Sequence, residues 1–208
     1  MIDFILHFNE HLDEILKNYG TLTYGILAFI IFAETGFVIT PFLPGDSLLF
    51  AVGTKTAGAN PPMDIFLTIL ILSVAAILGN TINYLVGRKI GPAIFERESR
   101  FIKKEYLIKT QAFYEKYGAM AVILSRFLPI FRTFVPFVAG IGQMDWKKYM
   151  LYNVIGGVAW VIIGIVAGYF FGGFEWVQKH FEAVVIGIIV ITALPAVVTA
   201  GIEYFKKK

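Results

Sequence analysis

The chain has no cysteine and only three histidines, His7, His11 and His180. The first absence excludes disulfides and thiolate metal sites. Charged residues are scarce too, at 16% against 57% hydrophobic, which is too apolar for a soluble domain. Spread over 208 residues, a mean hydropathy of +0.72 fits one small integral membrane domain. No nucleophile elbow, phosphate-binding glycine loop or zinc motif is present. Ser125-Arg126 pairs a serine with an arginine as lipid phosphatases do, but no histidine follows at the spacing a phosphohistidine mechanism needs. No enzymatic activity, cofactor or metal is therefore expected. A basic n-region and an Ala-x-Ala cleavage site are missing, so no removable signal peptide is expected either.

Lysine and arginine exceed aspartate and glutamate by 18 to 15, and the cations gather in loops beside apolar segments. That distribution marks a cytoplasmic membrane face and implies no nucleic-acid partner. Residues 1–19 place Ile2, Ile5, Phe8, Leu12, Ile15, Leu16 and Tyr19 at three and four spacing, predicting an amphipathic helix in the membrane interface. His7, His11 and Glu14 fall on its polar face, which explains them better than a metal does. In residues 20–58 the apolar run is cut by Glu34, Pro41 and Pro44-Gly45, too soon for a span of about 20 residues. Irregular backbone at that depth must be buried or line a cavity, so a re-entrant hairpin is expected. Residues 64–87 form the first full crossing. Residues 88–118 carry Arg88, Lys89, Arg97, Arg100, Lys103, Lys104, Lys109 and Lys116 against four glutamates and are expected to be cytoplasmic and amphipathic. Residues 119–142 are broken again, by Arg126, Pro129, Arg132 and Pro136, and predict a second re-entrant hairpin. Residues 149–172 and 181–205 predict two further crossings, the last bent at Pro195 and stopped by Lys206, Lys207 and Lys208.

An internal repeat organises these segments. Phe42-Leu43-Pro44 recurs as Phe127-Leu128-Pro129, and Gly79, Tyr84 and Gly87 recur as Gly164, Tyr169 and Gly172, always at the same offset. Each repeat holds one hairpin and one crossing, so the second is inverted relative to the first, as in many transporters with sites at the repeat interface. The expected fold is an all-α polytopic membrane protein: an inverted repeat of re-entrant helical hairpin plus transmembrane helix, preceded by an amphipathic helix and followed by a C-terminal transmembrane helix. Gly164, Gly168 and Gly172 share one helix face and predict close helix packing.

Glu34, Asp46, Arg126 and Arg132 interrupt apolar sequence. Each costs about 2.5 to 3.5 kcal/mol on insertion scales at the bilayer centre, so such residues face a cavity, a partner or a transported group. A structural ion cluster is the competing reading, but buried pairs are poor stabilisers. A guanidinium is always charged and grips a phosphate with two hydrogen bonds, which suits Arg126 and Arg132 to a lipid phosphate. Glu34 and Asp46 suit proton carriage, because burial and a nearby arginine pull a carboxyl's proton affinity in opposite directions. Pro41, Pro44, Gly45, Pro129 and Pro136 would shape the hairpins.

The run Glu34-Thr35-Gly36, the segment Pro41 to Ser47 (PFLPGDS), Gly79 to Gly91 (GNTINYLVGRKIG), Arg126 to Thr133 (RFLPIFRT) and Pro136 to Gly140 (PFVAG) occur in order, and together they resemble the bacterial DedA family. The resemblance implies a multi-pass protein of the bacterial cytoplasmic (inner) membrane with paired re-entrant loops, related to VTT-domain lipid scramblases. It also implies movement of undecaprenyl phosphate or phospholipid between leaflets, dependent on the proton motive force. Residue by residue, the family's functional acids fall on Glu34 and Asp46 and its arginines on Arg126 and Arg132. Asn80 departs from the pattern, since many relatives carry an acid there. The leading expectation is a proton-coupled flippase returning undecaprenyl phosphate to the cytoplasmic leaflet, with membrane lipid and protons as partners and an oligomer allowed. A phospholipid flippase or scramblase, a proton-coupled small-cation transporter and a non-transporting scaffold are the alternatives.

Overall fold

In a computed structural model the described residues are 8–36, 45–90, 108, 112, 114–181, 183, 184, 186–188 and 190. Among them the chain is helical and has no strand. The elements are α1 (Phe8–Tyr19), α2 (Leu22–Gly36), α3 (Gly45–Thr54), α4 (Ile65–Ile90), α5 (Met120–Leu124), a 3-10 turn (Ser125–Phe127), α6 (Pro129–Ile141), α7 (Trp146–Phe171) and α8 (Glu175–Lys179). Most of the expected final crossing at 181–205, the Pro41 and Pro44 hinge and most of 88–118 lie outside the described residues.

Helix lengths separate two classes. At 1.5 Å per residue, the 26 residues of α4 and of α7 each extend about 39 Å, enough to cross a hydrocarbon core of about 30 Å. The 15, 10 and 13 residues of α2, α3 and α6 reach only about 22, 15 and 20 Å. Along α4, Phe66, Leu70, Val74, Leu78, Ile82 and Leu85 form an exposed apolar stripe, with Phe66 80% exposed. A core helix of a soluble protein would bury such a stripe.

Local chemistry sets the boundaries. The Asp64 Oδ1 accepts from Leu67 N at 2.7 Å and the Asp145 Oδ1 from Lys148 N at 2.9 Å, so an aspartate N-cap opens each long helix. The second cap starts α7 at Trp146, three residues before the boundary expected from hydropathy. At its other end α4 runs on to Ile90, with Arg88 and Lys89 facing the negative end of the helix dipole. Leu128 is extended, at φ −124 and ψ 107, because the following proline disfavours the helical region. Pro129 then begins α6 at the first helical position, where its missing N–H costs nothing. The Leu-Pro step thus breaks the helix while α6 resumes immediately after it.

The chain falls into two compact units, Met1–Phe29, Pro44–Ser73 and Ala159–Lys208 in one, Ile30–Leu43 and Val74–Val158 in the other. In the first, α3 lies against the second half of α7. A Cβ at Gly53 or Gly168 would strike the facing backbone, and one at Gly164 or Gly172 would strike Leu49 or Thr54. Leu48, Leu49, Ala51, Val52, Leu72, Val161 and Ile165 form its core. In the second, α6 lies against the second half of α4, and Gly87 and Gly140 admit the backbones of Phe137 and Tyr84. Its core gathers Tyr84, Ala121, Val122, Val135, Ala139, Met144 and Tyr149. There Tyr84 stacks on Tyr149 at 4.1 Å between ring centroids and donates to the Met144 carbonyl at 2.5 Å.

Candidate functional site

Three of the four sequence-predicted ionisable residues come together in the second unit. The last turn of α2 can approach α4 closely because glycine meets glycine: a Cβ on Gly36 would lie 3.4 Å from the Gly79 Cα. Thr35 turns its hydroxyl inward, donating to the Ile31 carbonyl at 2.8 Å. Glu34 is thereby fixed in a buried position, 3% exposed. Its Oε1 accepts from the Arg132 Nη1 at 2.7 Å, and Arg132 is also 3% exposed. Arg132 sits in the first turn of α6, and its Nε donates to the Arg126 carbonyl at 3.1 Å. One guanidinium thus joins α2 to the 3-10 turn.

The Arg126 side chain is completely buried. Room for it comes from Gly156 and Gly157 on α7, where Cβ atoms would stand 3.5 Å from its Cγ and 3.2 Å from its Nη2. Its Nη2 donates to the Asn153 Oδ1 at 2.7 Å and the Ala76 carbonyl at 3.2 Å. In the orientation its partners require, the Asn80 amide oxygen accepts from Arg126 Nε and Nη2, both at 3.1 Å, while the amide nitrogen donates to the Thr35 carbonyl at 3.1 Å. Asn153 is itself held, through Nδ2, by the Ile77 carbonyl at 3.1 Å and the Thr81 hydroxyl at 3.2 Å. All of these acceptors are neutral. The Arg126 Nη1 has no hydrogen-bond partner among the described residues. A buried donor left unmade costs on the order of 1 to 3 kcal/mol, and more on a charged group. Among the described residues of this cluster, the two guanidinium groups of Arg126 and Arg132 stand with one carboxylate, Glu34.

Asp46 belongs to the first unit. It lies in the first turn of α3, where a carboxylate suits the positive end of the helix dipole, and its Oδ1 accepts from the Trp160 Nε1 at 2.6 Å. Gly45 is buried as the first residue of α3. Pro129 opens α6 and Pro136 lies inside it. Sequence reasoning does not identify Asn80, Asn153 and Trp160 as partners of the charged residues, nor Asn83 as a partner of the backbone beside them. Their signal was present: a buried amide in an apolar span must find a hydrogen-bond partner, and three of them occur in α4 and α7.

The family model described as the VTT domain matches residues 43–170. Protein DedA of Escherichia coli is 45% identical over 199 residues, covering 95% of this chain and 91% of that protein. An uncharacterized membrane protein of Mycobacterium tuberculosis is 43% identical over 181 residues, 86% of this chain and 79% of the relative. Inner membrane protein YqjA of Escherichia coli is 34% identical over 152 residues, covering 73% and 68%. No solved structure matches.

Proposed function

The chain belongs to the DedA family of VTT-domain membrane proteins, and on that footing we propose that it is a multi-pass protein of the bacterial cytoplasmic membrane that moves undecaprenyl phosphate from the outer to the inner leaflet, coupled to protons. The observation that carries this reading is Arg126: a fully buried guanidinium whose acceptors are all neutral, with one nitrogen unspent. Such a group favours an anion with oxygens to offer its open edge, and a phosphate monoester is of that kind.

In this account residues 20–58 and 119–142 are re-entrant hairpins of an inverted repeat, residues 88–118 face the cytoplasm and the whole chain forms one membrane domain. The hairpins thin the barrier so that only the headgroup crosses polar territory while the prenyl tail stays in lipid. Phosphate occupies Arg126 and competes with Glu34 for Arg132. Glu34, once displaced from its guanidinium, is left as a buried carboxylate and takes up a proton. Release of the phosphate returns Glu34 to Arg132 and the proton to the other side. Asp46 is a second proton carrier. No covalent bond is made or broken, and no metal or cofactor takes part.

The test is reconstitution of the purified chain into vesicles, with leaflet-resolved assays of undecaprenyl phosphate and of phospholipid, with and without an imposed pH difference. Directional movement of undecaprenyl phosphate that needs the gradient is the expected result. Equal movement in both directions makes the protein a scramblase, phospholipid alone changes the cargo, and movement of neither lipid overturns the reading.

A further inference from the structure

Asn83 lies on α4 one helical turn beyond Asn80 and is 1% exposed. Its Nδ2 donates to the Thr35 carbonyl at 3.0 Å and to the Thr133 carbonyl at 3.2 Å. Both N–H bonds of one amide are therefore committed to backbone carbonyls far apart in sequence. An oxygen in that place would face two other oxygens, so the orientation is fixed. The two acceptors are not arbitrary positions. Thr35 follows Glu34 and Thr133 follows Arg132, the residues that form the 2.7 Å ion pair. Thr35 belongs to α2 and Thr133 to α6, two short helices that meet the same face of α4.

A side chain that holds both carbonyls sets how far the two helix ends stand apart and in what register. Glu34 and Arg132 inherit that register, since each is one residue from a held carbonyl. The bond to Thr35 is doubled by the Asn80 amide at 3.1 Å; Asn83 alone also reaches α6. We propose that Asn83 is the positioning residue of the Glu34–Arg132 pair: it fixes the distance over which Arg132 is exchanged between the carboxylate and an incoming anion. The inference deepens the transport reading and rests on it for its consequence, although the coupling of Asn83 to the ion pair can be measured without any cargo.

Asn83→Leu keeps the branched shape of the side chain and removes both N–H groups. Displacement of a reacting pair by about an ångström costs on the order of a hundredfold in rate, so the variant should lose tenfold or more of the undecaprenyl phosphate transport rate in vesicles. In a Glu34→Gln background, where the ion pair is already gone, Asn83→Leu should change the residual rate by less than about twofold, because residues acting through one interaction are not additive. The second readout is thermal unfolding of the detergent-purified chain, for wild type, Asn83→Leu, Arg132→Gln and the double variant. Non-additive shifts in the midpoint tie Asn83 to the pair; additive shifts assign it to general packing and overturn the proposal. Full transport by Asn83→Leu also overturns it. Should that variant not fold, Asn83→Gln keeps the donors but moves them outward by one methylene, and it should fold with a reduced rate; a full rate sinks the idea. If wild type moves neither lipid, the transport reading fails while the unfolding cycle still decides the role of Asn83.

Discussion

The two units solve the same packing problem and differ in what they place inside the solution. In each, a short helix lies on the second half of a long one across glycines, α3 on α7 at Gly53, Gly164 and Gly168, and α6 on α4 at Gly87 and Gly140. At the repeat offset, Ile165 and Gly168 of the first unit correspond to Asn80 and Asn83 of the second, and Ser47 of the first corresponds to Arg132. Where the second unit carries two amides and the Arg132 guanidinium, the first packs its short helix with Ile165, Gly168 and Ser47. Architecture does not require the polar network, since the same helix pairing exists without it. Buried polar groups also cost more than apolar ones of equal volume unless every partner is in place. The difference supports the proposal that the Glu34, Arg126, Arg132 cluster serves binding rather than packing.

The largest effect that would break this comparison is at Arg126. Arg126→Lys keeps the charge and loses the planar fork, leaving the Asn80 and Asn153 oxygens poorly matched. Transport should fall on the order of a hundredfold at normal expression, read as the rate of undecaprenyl phosphate movement in vesicles. Arg132→Lys should also impair it, but less, because an ammonium can still pair with Glu34. Full activity of both would remove the phosphate grip and leave only the electrostatic contribution.

Next come the carboxyls, one in each unit. Glu34→Gln and Asp46→Asn replace a proposed proton carrier with a group that cannot bind and release a proton, so each should abolish the dependence of lipid distribution on a pH gradient. Wild-type transport should weaken as external pH rises, since fewer protons are available to enter. Asn at position 46 still offers an oxygen to the Trp160 N–H, so the first unit should stay folded. If Asp46→Asn keeps its gradient dependence and Glu34→Gln loses it, coupling belongs to the second unit alone.

A third pair of variants separates packing from function. Gly168→Ala in the first unit and Gly79→Ala in the second both force a methyl group against a neighbouring backbone, and such overpacking costs about 1 to 3 kcal/mol. Their unfolding midpoints should drop alike. Transport should suffer more from Gly79→Ala, because the displaced atoms include the Thr35 hydroxyl beside Glu34. Equal transport losses would mean that the short helices matter only as scaffolding.

The parts of this arrangement that were legible in sequence are those set by local chemistry. The two long apolar helices, the Leu128-Pro129 break and the ionisable residues inside apolar runs could each be read from a window of a few residues. α7 begins three residues before the expected 149, although Asp145 three positions before Lys148 is a local capping signal. What could not be read is long-range. Asn83 spans 48 and 50 positions to its two acceptors, and the Asp46 contact to Trp160 spans 114. Periodicity assigns a residue to a helix face and says nothing about which helix will meet it. The docking of α3 on α7 and of α6 on α4 is of the same kind: either long helix offers small residues, and only the folded packing chooses between them.

The smallest expected effect sharpens the comparison from the other side. The first unit also contains an ion pair, Lys55 Nζ to Asp13 Oδ2 at 2.7 Å, which ties the end of α3 to α1. Distance alone would rank it with Glu34–Arg132, also at 2.7 Å. Exposure separates them: the Asp13 side chain is 48% exposed and that of Lys55 14%, against 3% and 4% for Glu34 and Arg132. Water can replace either partner of the exposed pair, so its Coulomb energy is screened and partly spent on ordering two side chains; such pairs contribute about 0.2 to 1 kcal/mol. Asp13→Asn should therefore lower the unfolding midpoint slightly, leave transport and its gradient dependence unchanged, and lose even the small stability effect in high salt. A transport defect of the size expected for Arg132→Lys would show that charge pairing in the first unit is as functional as in the second, and the contrast between the two would be lost.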